Sequence, residues 1–213
     1  MYLNSLSKTE QQHLYDAFSF ELGKCDMEIR NLVVKELINK IDRNLAEYVA
    51  DHTGAELPAE NEESTYEKSS PALSMMNTNF SLKTRTVGVI ITPDVTEDTL
   101  NETRSKLEDK GLQVKFISDK IYTIGNTTID ETLDTVHSVL FDSMIVISGE
   151  EDLQPPVIEQ LEIAFKHKKA IGFGGNPSFG KLSFSENDKG VSNIEKELDQ
   201  FLEDVKNHRV WDR

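Results

Sequence analysis

The chain has 213 residues, 37% of them apolar, and a formal net charge of −15, which suits one or two domains with a real hydrophobic core. The negative charge argues against partners such as nucleic acid, whose phosphates need concentrated Lys and Arg, and against an anionic membrane surface. Cys25 is the single cysteine, so neither an intrachain disulfide nor a Cys-based metal cluster can form. The polar segment Met1–Gln12 and the lack of a long apolar run predict a cytoplasmic protein.

The first 55 residues predict three amphipathic helices. Ser7 and Glu10 have capping-box spacing, which predicts a helix over Lys8–Gly23. A second amphipathic helix is expected after Asp26. A third is expected over Asp42–Gly54, and it ends at Gly54 because glycine suits the left-handed cap. So small a core leaves apolar surface to be covered. We expect four side chains on the first two helices to be partly uncovered: Phe18, Leu22, Val34 and Leu37.

Residues 56–83 carry Pro, Ser and acidic residues without periodicity, which predicts a linker that is either flexible or wrapped over a neighbour. From residue 84 onward, buried strands alternate with helices, which predicts a doubly wound, mostly parallel α/β sheet. The predicted domains are therefore 1–55, 56–83 and 84–213. The expected strands are 86–92, 113–118, 141–148 and 170–174, the helices 96–109, one from about Pro155 and 192–207, and a small hairpin lies within 121–140.

The segment Lys169–Pro177 predicts a strand that ends in a turn of small residues. At the carboxyl end of such a strand, related folds place a Ser or Cys nucleophile above the sheet. Here the positions carry Gly174, Gly175 and Asn176. The sequence therefore predicts an elbow without a nucleophile and no catalytic residue at this turn.

Four collinear stretches resemble the C-terminal part of the large-subunit haem catalases. They are residues 18–24 preceded by 10–13, residues 41–46 with 49–50, residues 83–89 and residues 207–213. The resemblance implies a flavodoxin-like domain, similar to class I amidotransferases and DJ-1/PfpI proteins, that is catalytically silent and follows a helical segment.

The haem domain of that family would lie upstream, and its Arg-x-Phe-x-Tyr pattern is missing from this sequence. The resemblance therefore implies no haem and no other cofactor in this chain. We interpret the chain as a fragment, an engineered product or the product of a split gene.

Other candidate residues favour structural roles. Cys25 has no His partner close in sequence, and His167 suits the end of a helix. Asp94, Glu97 and Asp98 follow the first strand of the α/β region, where DJ-1-like enzymes place an acid, yet capping by Asp94 or Thr96 is favoured here. The five histidines lack metal-ligand spacing: His13, His52, His137, His167 and His208.

Three further motifs give little support for catalysis or ligand binding. Gly149–Glu151 resembles a loop that supplies oxyanion-hole amides, but its two carboxylates would oppose an oxyanion. Gly172–Gly175 matches no phosphate-binding motif, and a flavin remains an expectation from fold analogy alone. Trp211 is expected to anchor the C-terminal segment.

Two functional hypotheses follow. The first is a non-catalytic accessory domain that supports assembly and stability of a hydrogen-peroxide-degrading catalase, with the catalase core or other copies of itself as partners through the helical segment. The second is a DJ-1/PfpI-like amidase or glyoxalase with an unrecognised nucleophile, for which Cys25 is the testable thiol.

Overall fold

The computed structural model of the chain describes residues 1–62, 67–78, 80–149 and 152–213. Its contacts form two compact units, Met1–Asn79 and Phe80–Arg213. The first unit is helical and the second is an α/β sheet with flanking helices. The domain limits expected from the sequence stay a prediction.

The helical unit contains the three predicted helices and one short helix before them. The helices are α1 (Tyr2–Ser5), α2 (Lys8–Leu22), α3 (Met27–Glu36) and α4 (Arg43–Thr53). The capping box is formed as expected, since the Glu10 amide donates to the Ser7 hydroxyl and the Ser7 amide to the Glu10 carboxylate. Gly54 ends α4 in the left-handed region, with φ of 72°.

The expected uncovered face of the first two helices is partly wrong. Leu22 and Val34 are buried in the core of the helical unit, where they pack with side chains from α4 such as Leu45. Leu37, in contrast, is 59% exposed, because α3 ends at Glu36 and a 3-10 turn follows. The exposed apolar side chains of the helical unit include Phe20, Met27, Ile29, Leu32, Leu37 and Ile41.

Part of the predicted linker is held against the helical unit by the buried Glu10. One carboxylate oxygen accepts a hydrogen bond from the Ser74 hydroxyl at 2.8 Å, and the other accepts one from the Met75 amide at 2.7 Å. Burial raises the pKa of Glu10, but these bonds and those from Ser7 outweigh it and leave the pKa below its usual value. The segment around Ser74 therefore has a fixed path over α2.

In its described residues, the α/β unit has eight strands and three α-helices. They are β1 (Thr86–Ile91), α5 (Glu97–Glu108), β2 (Gln113–Ser118), β3 (Thr123–Ile124), β4 (Thr127–Thr128), β5 (Glu131–Thr132), β6 (Ser143–Ser148), α6 (Pro155–Lys166), β7 (Ile171–Gly175), β8 (Val191–Asn193) and α7 (Leu198–Lys206). The main sheet is parallel, in the order β5-β2-β1-β6-β7-β8, and β3 and β4 form the expected hairpin. Without the two-residue edge strand β5, this order is the flavodoxin-like 2-1-3-4-5, so the predicted fold is confirmed.

Both faces of the sheet are covered because successive strand residues point to opposite sides. Val89 of β1 and Ile145 of β6 pack beneath Leu100 of α5 and Phe201 of α7, whereas Ile90 belongs to the separate core beneath α6. The strands therefore read as continuous apolar runs, as in a doubly wound sheet.

The last predicted helix is shorter than expected, and its first residues form a strand instead. Ser192 lies in β8, which pairs with β7. After it, the Asn193 side-chain oxygen accepts hydrogen bonds from the amides of Glu195 and Lys196, which turns the chain. The helix α7 consequently begins only at Leu198.

Candidate functional site

The predicted elbow lies at the carboxyl edge of the sheet, at the end of β7. The adjacent strand β6 pairs Ile147 with Gly174 and Ser148 with Gly175, and the Asn176 amide donates to the Ser148 carbonyl oxygen at 3.1 Å. The three elbow positions therefore stand where ligands and catalytic groups lie in doubly wound sheets.

Gly175 gives the elbow its backbone shape. Its φ is 71°, and a Cβ atom there would lie 2.1 Å from the Ser148 carbonyl oxygen, so only glycine fits. Its amide donates to the carboxylate of Glu195 at 3.0 Å. A carboxylate thus takes an amide that an acyl-transfer site would need for its oxyanion.

Ser148 is a hydroxyl that the sequence analysis did not single out. Its Oγ is buried and makes no hydrogen bond to any residue that the structure describes. A serine nucleophile needs a base within hydrogen-bond reach to take its proton. Ser148 lacks such a base among the described residues. The only signal that could have identified Ser148 is its pairing with Gly175 in the sheet, which the sequence alone does not show.

The acids that follow β1 are placed as structural groups. Thr96 caps α5 by accepting the Thr99 amide at 3.3 Å, one of the two capping arrangements that were expected. The Asp94 carboxylate accepts from the Thr92 hydroxyl, and Glu97 accepts from the Asn126 amide at 2.6 Å. Asp98 lies in the first turn of α5, where an acid favours the helix dipole.

Of the motif Gly149–Glu151 that follows β6, the structure describes only Gly149. The space beside Gly149 is filled by the Asp94 carboxylate, which a Cβ atom on Gly149 would meet at 1.9 Å. Glu150 and Glu151, the carboxylates expected to oppose an oxyanion, lie outside the described residues.

The remaining candidates are spread over both units. The Cys25 thiol lies in the helical unit, 3.6 Å from the Glu21 carbonyl oxygen. In the same unit, His52 stacks on Tyr48 with ring centroids 3.9 Å apart. His167 ends α6 as expected. Within the described ranges, no three His, Cys, Asp or Glu side chains form a group that could hold a metal.

Neither of two pockets lined by described residues offers an axial ligand for a haem. Haem iron takes an axial His, Cys, Met or Tyr. The cleft between α5 and α7, beside the elbow, is lined instead by Thr, Glu, Lys, Leu, Ile and Gly residues. A groove in the helical unit is lined by Asn, Lys, Glu, Leu, Pro and Ala residues.

Residues 83–213 match a family model described as the C-terminal domain found in long catalases. A second family model, described as catalase-related immune-responsive, matches residues 1–53. The chain belongs to the long-catalase family. Its predicted membership is therefore confirmed.

Three long catalases illustrate the extent of the match. The catalase of Alkalihalophilus pseudofirmus is 38% identical over 81% of this chain and 26% of its own length. Catalase HPII of Pseudomonas aeruginosa is 30% identical over 100% of this chain and 32% of its own length. Catalase-2 of Bacillus subtilis is 31% identical over 100% of this chain and 33% of its own length. The chain thus spans a quarter to a third of the length of these relatives, and the amidase or glyoxalase alternative is not favoured.

A second polar region of this long-catalase domain lies at the opposite, amino edge of the sheet. Asp142 accepts from the Arg85 guanidinium and from the Thr86 amide, both at 2.9 Å, and His208 Nδ1 lies 3.7 Å away. The His208 ring, the Thr86 amide and Arg85 hold the pKa of Asp142 well below its usual range, against the opposing effect of burial.

Lys169 is the buried cation of the same edge. Its ammonium donates to the carbonyl oxygens of Ser138 and Phe141 at 2.5 and 2.6 Å. Burial and the nearby Arg209 lower the pKa of Lys169 to about 8. The sequence predicted no buried polar role for Lys169 or Asp142, because their hydrogen-bond partners are distant in sequence.

The C-terminal segment that resembles the catalases closes this edge. The Val210 amide donates to the Lys168 carbonyl oxygen at 2.7 Å, and Arg213 donates to the carbonyl oxygens of Phe165 and Lys169 at 2.8 and 3.1 Å. Trp211 is half-buried within the segment. No described helix combines the length and apolar character needed to cross a bilayer.

Proposed function

We propose that this chain is a non-catalytic accessory part of a long catalase, supporting the assembly and stability of an enzyme that degrades hydrogen peroxide. The match to the final portion of long catalases supports a role within a larger enzyme. The carboxyl edge supports the absence of chemistry, because Glu195 occupies the Gly175 amide and the Ser148 hydroxyl has no base.

The proposed partners are the catalase core or a second copy of the chain, bound through the helical unit. Its apolar side chains in solvent support this: Leu32, Leu37 and Ile41 are each at least 50% exposed. Exposed apolar surface of this kind is covered in protein assemblies. Haem is assigned to the upstream part of the enzyme, and a cytoplasmic location agrees with the lone Cys25.

Two measurements test the absence of catalysis. The purified chain is mixed with haem, the Soret region is scanned and peroxide turnover is assayed. We expect neither a stoichiometric Soret band nor turnover, and either result would contradict the proposal. Alkylation of Cys25 is the companion test, since loss of an amidase or glyoxalase activity on alkylation would support an enzyme instead.

The accessory role is tested by joining this chain to the core of a relative. The Bacillus subtilis catalase-2 is prepared with its matching C-terminal portion either deleted or replaced by this chain. We expect the chimera to keep peroxide turnover longer than the deleted form during heating. Equal half-lives of the two proteins would overturn the stabilising role.

A further inference from the structure

The α/β unit has a cleft that the accessory role does not use. It lies between α5 and α7 over the carboxyl half of the sheet and has a volume of about 360 Å³, within the range of small-molecule sites. Its lining residues are Thr99, Glu102, Thr103, Lys106, Leu107, Ile147, Gly174, Ile194, Glu195 and Leu198.

The cleft has an apolar floor and a single uncompensated charge at its edge. Leu107, Ile147 and Ile194 are buried and supply the aliphatic surface. At the rim, Lys106 is already paired with Glu102 at 2.7 Å. Glu195 makes no ion pair with any residue that the structure describes, so its carboxylate is the charge left for a ligand.

Glu195 is also held in place without a ligand. One of its carboxylate oxygens accepts the Gly175 amide at 3.0 Å, and its own amide donates to the Asn193 side chain at 2.9 Å. A fixed carboxylate loses little side-chain entropy when a cation binds.

Thr103 is a second polar residue of the cleft. The residue is 7% exposed and lines the cleft from α5. Its hydroxyl is a hydrogen-bond donor and acceptor at the wall of the cleft. A ligand with a donor or acceptor group can hydrogen-bond to it.

We propose that this cleft binds a short aliphatic primary amine. The ammonium group binds Glu195, the alkyl chain lies on Leu107, Ile194 and Leu198, and a second polar group of the ligand, where present, reaches Thr103. The net charge of −15 raises the concentration of cations at the surface and disfavours anionic ligands.

The experiment is a titration of the ¹⁵N-labelled chain with pentylammonium, followed by amide chemical shifts. We expect saturable shifts at Gly174, Gly175, Thr103 and Ile194, with a dissociation constant in the millimolar range for so small a ligand. The neutral isostere 1-pentanol is expected to bind more weakly, because it lacks the charge. Shifts that do not saturate, or equal binding of the two probes, would overturn the proposal.

Two substitutions separate the site from general attraction of cations. Glu195→Gln keeps an acceptor for the Gly175 amide and is expected to weaken binding about tenfold, as for loss of a charged hydrogen bond. Glu159→Gln removes an equal charge from α6, on the other face of the sheet, and is expected to leave binding unchanged. Equal effects of the two substitutions would refute the assigned role of Glu195.

Gly174→Ala tests the position of the ligand. The added Cβ atom would lie 3.5 Å from Glu195 Oε1 and 3.6 Å from Ile147, which is ordinary contact, so the fold can accept it. The methyl group narrows the cleft at its floor, and we expect weaker pentylammonium binding with an unchanged spectrum elsewhere. Unweakened binding would place the amine outside this cleft.

Discussion

The two edges of the α/β sheet are built from opposite materials. At the carboxyl edge, the tip of β7 consists of glycines beside one exposed carboxylate, Glu195. At the amino edge, the Asp142 carboxylate faces Arg85 and His208, and the buried Lys169 ammonium donates to two carbonyl oxygens. At the edge that carries chemistry in enzymes of this fold, the glycines at the tip of β7 have no side chain, whereas the opposite edge holds buried charged groups.

The difference between the edges predicts where single substitutions will lower the stability of this domain most. Buried charges destabilise a fold unless hydrogen bonds satisfy them, and removing one partner leaves the other exposed to that penalty. The amino edge is therefore sensitive to single substitutions. The carboxyl edge should be sensitive only where backbone shape, and not a side chain, is required.

The largest effect is expected for Asp142→Ala at the amino edge. The change leaves the Arg85 guanidinium, only 13% exposed, without its carboxylate, and we expect a loss of about 3 kcal/mol in the free energy of unfolding. Chemical denaturation measures it. Asp134→Ala, at an exposed carboxylate, is the control and should change stability little; a similar loss in both would contradict the assigned role.

The same variant has a distinct acid dependence. Since the pKa of folded Asp142 lies below its ordinary value of 3.8, its stabilisation is complete above that pH and is lost as the pH falls further. The gap between the parent chain and Asp142→Ala should therefore narrow below pH 3.8. A gap that stays constant through this range would show that the carboxylate charge does not matter.

A slightly smaller effect is expected for Lys169→Met. The substitution keeps the volume of the side chain but leaves the carbonyl oxygens of Ser138 and Phe141 unsatisfied, which should cost about 2–3 kcal/mol. Lys120→Met at an exposed position is the control. If both methionine variants were as stable as the parent, the buried ammonium would have no role in this edge.

The pH dependence of Lys169 has the same sign as that of Asp142 but lies at alkaline pH. Its folded pKa, about 8, lies below the ordinary value of 10.5, so the unfolded chain binds more protons between these values and the parent gains stability as the pH rises. The gap between the parent and Lys169→Met should widen over that interval.

At the carboxyl edge, Gly175→Ala tests the requirement for backbone shape. With φ of 71° and a Cβ atom 2.1 Å from the Ser148 carbonyl oxygen, alanine cannot be accepted without a backbone shift. We expect a loss of about 2 kcal/mol. Gly180→Ala is the matched control, because its Cβ atom would lie 3.7 Å from the nearest described contact, and equal stability of the two variants would contradict the argument.

The sequence predicted local structure well because its signals are local. The capping box of Ser7 and Glu10 and the strand limits of β2 agree with the structure to the residue. It missed β8 because the turn that follows depends on the Asn193 side chain and on pairing with β7. The wrong expectation for Leu22 and Val34 arose because helical periodicity identifies an apolar face without showing which neighbour covers it.

The two edges were unequally predictable for the same reason. The glycines of the elbow are consecutive and visible in the sequence, so an elbow without a nucleophile can be predicted from the sequence, and it stays a prediction. Asp142 and His208 are separated by 66 positions in the chain, and Glu195 and Gly175 by 20. Such contacts are set by topology, and no spacing pattern reveals them.

The smallest effect is expected for Gly174→Ser, which places a hydroxyl at the bare tip. The Cβ atom would have ordinary contacts of 3.5–3.7 Å, so stability should change by less than about 0.5 kcal/mol. We also expect no hydrolysis of an activated ester such as p-nitrophenyl acetate beyond that of the parent chain. The nearest carboxylate, Glu195, already accepts a hydrogen bond from the Gly175 amide. A serine there would need a base, such as an imidazole, within hydrogen-bond reach to take its proton. Turnover above the parent level would mean that this edge lacks only a nucleophile, whereas none would mean that its base is missing as well.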